Sequence, residues 1–171
     1  VSTIGAYQPG SRVRLRCVFG VNPTSLAAQA AKGASSITVR DASGFAPADA
    51  LVLDPGHTAP DDPLREEKAV VQSVSGRVVV LAAPLGYDHP AGADVWELAD
   101  PTTVTLKVLA PDGTTASYTY ALGQILKAGQ GDYYYDTTFT AEGDYARRWE
   151  GTGACIAVDE GRFRVLNSEF G

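Results

Sequence analysis

Along Ser-Arg-Val-Arg-Leu-Arg-Cys-Val-Phe, residues 11–19, apolar and charged positions alternate, so that Val13, Leu15, Cys17 and Phe19 share one face and Arg12, Arg14, Arg16 and Val18 the other. A period of two is that of a strand buried on one side. Pro9-Gly10 before it and Gly20 after it supply turn punctuation. The Ala-rich stretch 26–32 has no strand character and reads as a joint, either a single helical turn or a linker.

Between Gly33 and Trp96 the pattern changes to short strands at close spacing. Ser-Ile-Thr-Val (36–39) alternates, Ala-Leu-Val-Leu (50–53) is continuously apolar, and residues 68–74 and 77–81 flank a Ser75-Gly76 turn suited to a hairpin. Four or five strands in about sixty residues form a small unit. Such a unit closes best as a barrel or tight sandwich, because open edges invite unwanted pairing. Its longest loop, 54–67, carries Pro55, Pro60, Pro63 and several carboxylates and is expected at the surface.

Longer strands follow Asp100-Pro101. Residues 103–109 and 115–120 alternate around a Pro111-Asp112-Gly113 turn, and further strands are expected in 131–139, in 140–149 and from 161. The strand at 11–19 matches these better than the short ones. The chain therefore reads as all-β, with residues 1–24 and 97–171 forming one discontinuous sandwich and residues 25–96 inserted as a small β module.

Composition narrows the functions. The 171 residues are 44% hydrophobic and carry a net charge of −6, so electrostatic attraction to nucleic acid or to an anionic membrane is not expected. No apolar run reaches the roughly 18 to 20 residues of a membrane span, and no secretory signal layout is seen at the start. Two cysteines do not make a disulfide framework, and a reducing compartment is the default.

Local patterns resemble known folds. Gly143 and Tyr145, just before a strand carrying Trp149, have the spacing of the corner tyrosine of immunoglobulin-like sandwiches, whose hydroxyl turns onto the corner backbone. The second cysteine of an antibody domain then falls at Arg147, and whether Cys17 bonds Cys155 or both are buried thiols stays open. Pro-Thr-Thr-Val-Thr-Leu-Lys-Val from 101, Pro-Asp-Gly-Thr-Thr-Ala-Ser-Tyr-Thr-Tyr from 111, Gly-Asp-Tyr-Tyr from 131, Arg-Trp-Glu-Gly-Thr-Gly from 148 and Glu-Gly-Arg-Phe-Arg-Val from 160 together resemble small immunoglobulin-like virion proteins of tailed bacteriophages. The segment 33–92 is similar to a small β module that also recurs in phage structural proteins. Where that module has Gly-Asp before its second strand, this chain has Ala48-Asp49. The resemblance implies a structural component of the virion, assembled in the bacterial cytoplasm in several symmetry-related copies and binding other virion proteins. The head–tail neck or tail is the first expectation; capsid decoration, or a host-surface carbohydrate-binding module, is the alternative.

Candidate chemistry is thin. His57 and His89 are 32 residues apart in turn-like contexts, and Asp54, His57, Asp61 and Asp62 could surround a cation only in a loop whose composition is that of a solvated one. Asp61-Asp62, Glu66-Glu67 and Asp159-Glu160 are adjacent pairs, and neighbours on a strand point to opposite sides. No nucleophile elbow or Lys-containing phosphate loop is present. No enzyme activity, cofactor or metal is expected. The remaining candidate is a protein interface: Arg12, Arg14 and Arg16 stand roughly 7 Å apart along one strand face, and Tyr134 lies on the face opposite Tyr133 and Tyr135. The row either pairs with acidic neighbours in its own sheet or docks an acidic partner.

Overall fold

The computed structural model describes residues 2–56, 65–155 and 157–166. They contain no helix. Fourteen strands follow in chain order: β1 (Ser2–Tyr7), β2 (Arg12–Val18), β3 (Gly20–Ser25), β4 (Ser36–Thr38), β5 (Ala50–Leu53), β6 (Glu67–Ser75) and β7 (Val78–Leu81). Then come β8 (Asp94–Leu98), β9 (Thr103–Leu109), β10 (Thr115–Thr119), β11 (Leu126–Gly129), β12 (Asp132–Thr138), β13 (Gly143–Thr152) and β14 (Ala157–Val165). The chain divides into two compact units, one of Val1–Phe19 with Asp100–Gly171 and one of Gly20–Ala99. The seam lies five residues earlier on the outward path, and three later on the return, than sequence pattern alone suggests. The reason is β3, which pairs antiparallel with β8 and so belongs with the middle unit.

The first unit is a β-sandwich of a five-stranded sheet, β1-β14-β13-β9-β10, and a three-stranded sheet, β11-β12-β2. Alternation decides which side chains meet. Val13, Leu15 and Cys17 from β2, Val104, Leu106 and Val108 from β9, and Tyr145, Trp149 and Phe163 are all buried. Each large apolar side chain taken out of water contributes about 1.5–3 kcal/mol. Gly151 is required by this packing: a Cβ there would lie 2.6 Å from the Phe19 ring. Tyr145 donates its hydroxyl to the Ala141 carbonyl at 2.9 Å, closing the corner that its spacing from Gly143 predicts.

Where the chain leaves this unit and where it returns, both ends are tied to one residue. The Phe19 amide donates to the Gly131 carbonyl at 2.7 Å, and the Gly131 amide donates to the Asp100 carboxylate at 2.9 Å. Asp100 also accepts from Lys127 Nζ at 2.7 Å and from the Tyr133 hydroxyl at 3.1 Å. Partial burial pushes the Asp100 carboxyl up, but Lys127, the Gly131 amide and Tyr133 outweigh it and hold it below the usual carboxylate range.

The second unit is a six-stranded sheet in the order β3-β8-β5-β6-β7-β4, curled around its own apolar cluster of Leu26, Ile37, Val39, Leu51, Leu53, Val71, Val79, Leu81 and Val95. The expectation of a closed small barrel is corrected here: β3 and β4 are the ends of the sheet, and their continuations meet only at the isolated bridge Leu26↔Val39. The three-residue β4 is too short to extend that bridge into a ladder. The Ala-rich stretch 26–32 is neither helix nor linker. It is pinned by the Leu26 bridge and by reciprocal Ala30–His89 backbone bonds of 2.8 and 2.9 Å, and Leu26 and Ala30 are part of the core.

Ala48-Asp49 has a structural consequence. The Asp49 amide bonds the Ala46 carbonyl across Ala46-Pro47-Ala48-Asp49, and Ala48 sits at φ 76°. Proline second and a left-handed residue third is the arrangement of a type II turn, whose third position favours glycine. The turn is kept, then, with an exposed alanine held in a left-handed backbone. Ala48→Gly is expected to raise stability by roughly 0.5–1 kcal/mol, the left-handed penalty being partly offset by the looser unfolded chain. A urea titration would read this as a higher midpoint at unchanged slope.

Candidate functional site

The arginine row sits on β2, whose only strand partner among the described residues is β12. The antiparallel register sets Thr138 opposite Arg12, Asp136 opposite Arg14, Tyr134 opposite Arg16 and Asp132 opposite Val18. Directly opposite residues share a face, so the row of β2 meets Asp132, Tyr134 and Asp136. Arg14 binds both oxygens of Asp136, through Nε at 2.7 Å and Nη2 at 2.8 Å, and Arg12 reaches the same carboxylate at 2.7 Å. Arg16 holds Asp132 in the same two-pronged way at 2.7 and 2.8 Å. The Arg14 guanidinium also lies over the Tyr134 ring, 4.0 Å from its centre. Arg14 first, then Arg12, hold the Asp136 carboxyl down to about 2.

This face is therefore an internal ladder of charge pairs. Fork-to-carboxylate geometry is the strongest form of such pairing, and it ties β2 to a strand over 110 residues away along the chain. Tyr134 is the aromatic floor under Arg14. Its neighbours face the other way, where Tyr133 packs edge-on against Phe19 with ring centres 5.8 Å apart and Tyr135 stacks on Tyr118 at 4.1 Å. Burial and donation to Asp100 push the Tyr133 phenol up.

A buried cluster of titratable groups lies in the second unit. The His89 ring is fully buried; its Nδ1 is 2.7 Å from Asp54 Oδ2 and its Nε2 is 3.1 Å from Glu67 Oε2. Glu67 also accepts from the Gly86 amide at 2.6 Å and the Tyr87 amide at 3.2 Å. Each ring nitrogen thus faces one carboxylate. The three groups thereby join the end of β5, the start of β6, the 85–90 turn and, through the Ala30 backbone bonds, the stretch 26–32. Nothing in the sequence marks the contact, because His89 is 35 residues from Asp54 and 22 from Glu67.

The grouping of Asp54 with His57, Asp61 and Asp62 divides. His57, Asp61 and Asp62 lie outside the described residues, whereas Asp54 is buried against His89 rather than exposed in a solvated loop. Among the described residues no group of three or more His, Cys, Asp or Glu side chains is arranged to hold a metal ion, and no helix is long and apolar enough to cross a membrane.

Cys17 and Cys155 are both buried and not disulfide-bonded. Burial pushes the Cys17 thiol up, strengthened by Asp159 and opposed by Arg147. Arg147, at the position where the resemblance would set a cysteine, is itself a buried guanidinium paired with Asp159. It lies opposite Gly161.

No protein-family model matches the chain, and no curated protein sequence does. Among solved structures, the chain is similar to the Gp54 tailspike of Acinetobacter baumannii bacteriophage AP22, determined in complex with A. baumannii capsular saccharide, at 18% identity with a TM-score of 0.40. The likeness covers 58% of this chain and 20% of that one, so the chain spans about a fifth of the tailspike's length.

Proposed function

We propose that the protein is a structural, non-catalytic component of a tailed-phage virion, mounted by its sandwich and binding other virion proteins at the head–tail neck or tail in several symmetry-related copies. The observation that supports this reading is the assembly of the resemblance segments. Those beginning at Pro101, Pro111, Gly131, Arg148 and Glu160 contribute β9, β10, β12, β13 and β14, all in one unit, and a second unit with its own core interrupts that unit at a single point. Two separately cored units give an assembly two distinct surfaces to contact, one for attachment and one for a neighbour. Its action is surface complementarity without turnover, and repeated copies follow from the rings and shells of which virions are built.

Electron microscopy of purified particles tests the proposal. The expected result is density for both units at the neck or tail, repeated with the local symmetry. Density on the capsid exterior would move the role to decoration. Absence of the chain from particles, together with strong binding of the isolated chain on a glycan array, would replace it with adhesion.

A further inference from the structure

The outer face of the five-stranded sheet holds a surface that neither the arginine row nor the virion reading uses. Strand register places Arg162 opposite Ala146, Ala146 opposite Leu109, and Leu109 opposite Thr115, so these four form one row across β14, β13, β9 and β10. Ala146 is the short member. Strands are spaced about 4.8 Å apart, which sets Arg162 and Leu109 roughly 9.5 Å from each other with only a methyl group between them. The result is a dip of about 210 Å³, bounded on the next row by Lys107, Arg148 and Glu160, the last a carboxylate already held by Arg148 at 3.1 Å. Pockets for small molecules usually run from about 300 Å³ upward, so this one is the size of one or two side chains.

Its charges are unequally satisfied. Lys107 bonds Glu150 at 3.0 Å, Arg148 bonds Glu150 at 2.7 Å and Glu160 at 3.1 Å, and Arg164 bonds Asp144 at 3.3 Å. Lys107, with help from Arg148, holds the Glu150 carboxyl below its usual range. Arg162 is the one described cation of this face without an acidic partner. Across the dip from it, Leu109 is 43% exposed, a large apolar side chain on a strand whose inward residues are all buried. A guanidinium with free donors on one wall and an uncovered isobutyl group on the other define what fits between: a carboxylate followed closely by an apolar group.

We infer that this dip is a docking point for an extended segment of a partner protein bearing an acidic and an apolar side chain two residues apart, the carboxylate on Arg162 and the apolar group on Leu109 and Ala146. Residues i and i+2 of a strand share a face at about 7 Å, and the length of the arginine side chain spans the remainder. Arg is the suited cation, since its fork matches a carboxylate through two bonds. The inference goes beyond the virion reading and stands without it, because it concerns the isolated chain.

The test uses the full chain labelled with ¹⁵N and a blocked peptide, Ser-Glu-Ser-Leu-Ser, titrated to about 10 mM. Saturable shifts at the Leu109, Ala146, Arg162 and Thr115 amides are expected, with a millimolar dissociation constant appropriate to one exposed pair and one apolar contact. The Gln-for-Glu peptide and Arg162→Glu should each weaken binding by about fivefold or more, and Leu109→Ser should weaken it while thermal unfolding stays unchanged. Shifts centred on Arg12, Arg14 and Arg16, equal binding of the Gln peptide, undiminished binding by Arg162→Glu, or no saturable shift at all would each overturn the proposal.

Discussion

Replacing His89 with alanine is expected to lower the stability of the Gly20–Ala99 unit by about 3–5 kcal/mol, the range for leaving a buried carboxylate without its partner. The ring is inaccessible to solvent and Asp54 is 3% exposed, so in the native protein that carboxylate relies on the imidazole rather than on bulk water. Asp54 Oδ2 loses a contact of 2.7 Å and Glu67 Oε2 one of 3.1 Å. Glu67 keeps the Gly86 and Tyr87 amides, so the larger part of the loss falls on Asp54. Neutralising that residue in the same chain, as Asp54→Asn, should recover part of the stability, because a buried amide costs less than a buried carboxylate. Hydrogen exchange followed residue by residue checks both statements: protection should fall across β4 to β8 and persist in β9, β12 and β13. A loss below about 1 kcal/mol, or one spread evenly over both units, would show that the cluster is not the brace described.

Removing residues 20–99 and joining Phe19 to Asp100 through a short glycine linker is expected to leave a folded sandwich. The two cut ends are already held by the carbonyl and the amide of Gly131, at 2.7 and 2.9 Å, so the linker has little distance to cover. Closing a loop costs more as the loop lengthens, by about 0.6 kcal/mol per doubling, and the shortened chain is relieved of that cost. The Phe19–Tyr133 ring contact and the arginine ladder of β2 lie entirely within what remains. Cooperative thermal unfolding and dispersed amide resonances are the expected readouts. A molten or aggregated product would mean that the sandwich depends on the middle unit for its order.

Much of the sandwich was legible because its strands keep a strict period of two. Val13, Leu15 and Cys17 alternate with three arginines, Val104, Leu106 and Val108 with polar residues, and the burial of each follows from that spacing. The corner tyrosine was legible for another reason: its hydrogen bond is local, four residues back. Illegible elements lacked both properties. β3 reads Gly-Val-Asn-Pro-Thr-Ser, with Asn22 at φ 49° and an irregular register between Val21 and Thr24, so its alternation is broken by the bulge that shapes it. Residues 26–32 carry only Leu26 and Ala30 into the core, too few positions to show any period.

The candidate sites divide along the same line. Arg12, Arg14 and Arg16 could be placed on one face from sequence, but not the strand that would neutralise them, since Asp132 and Asp136 arrive over 110 residues later. Arg162 and Leu109 gave no signal at all: what matters about them is a cross-strand row with Ala146 in the middle, and register between distant strands is not written in either strand alone.

The pairing of β2 with β12 across the middle unit also dictates an order of events as the polypeptide is made. Every ladder of the middle unit closes within residues 20–98, so its folding needs nothing that emerges later. β2, by contrast, has no mate until β12 has left the ribosome. The middle unit can thus mature while the rest is still being translated, with a strand apolar on one face waiting upstream. Shielding that strand, by a chaperone or by slow emergence, is the step on which the yield of native protein would turn.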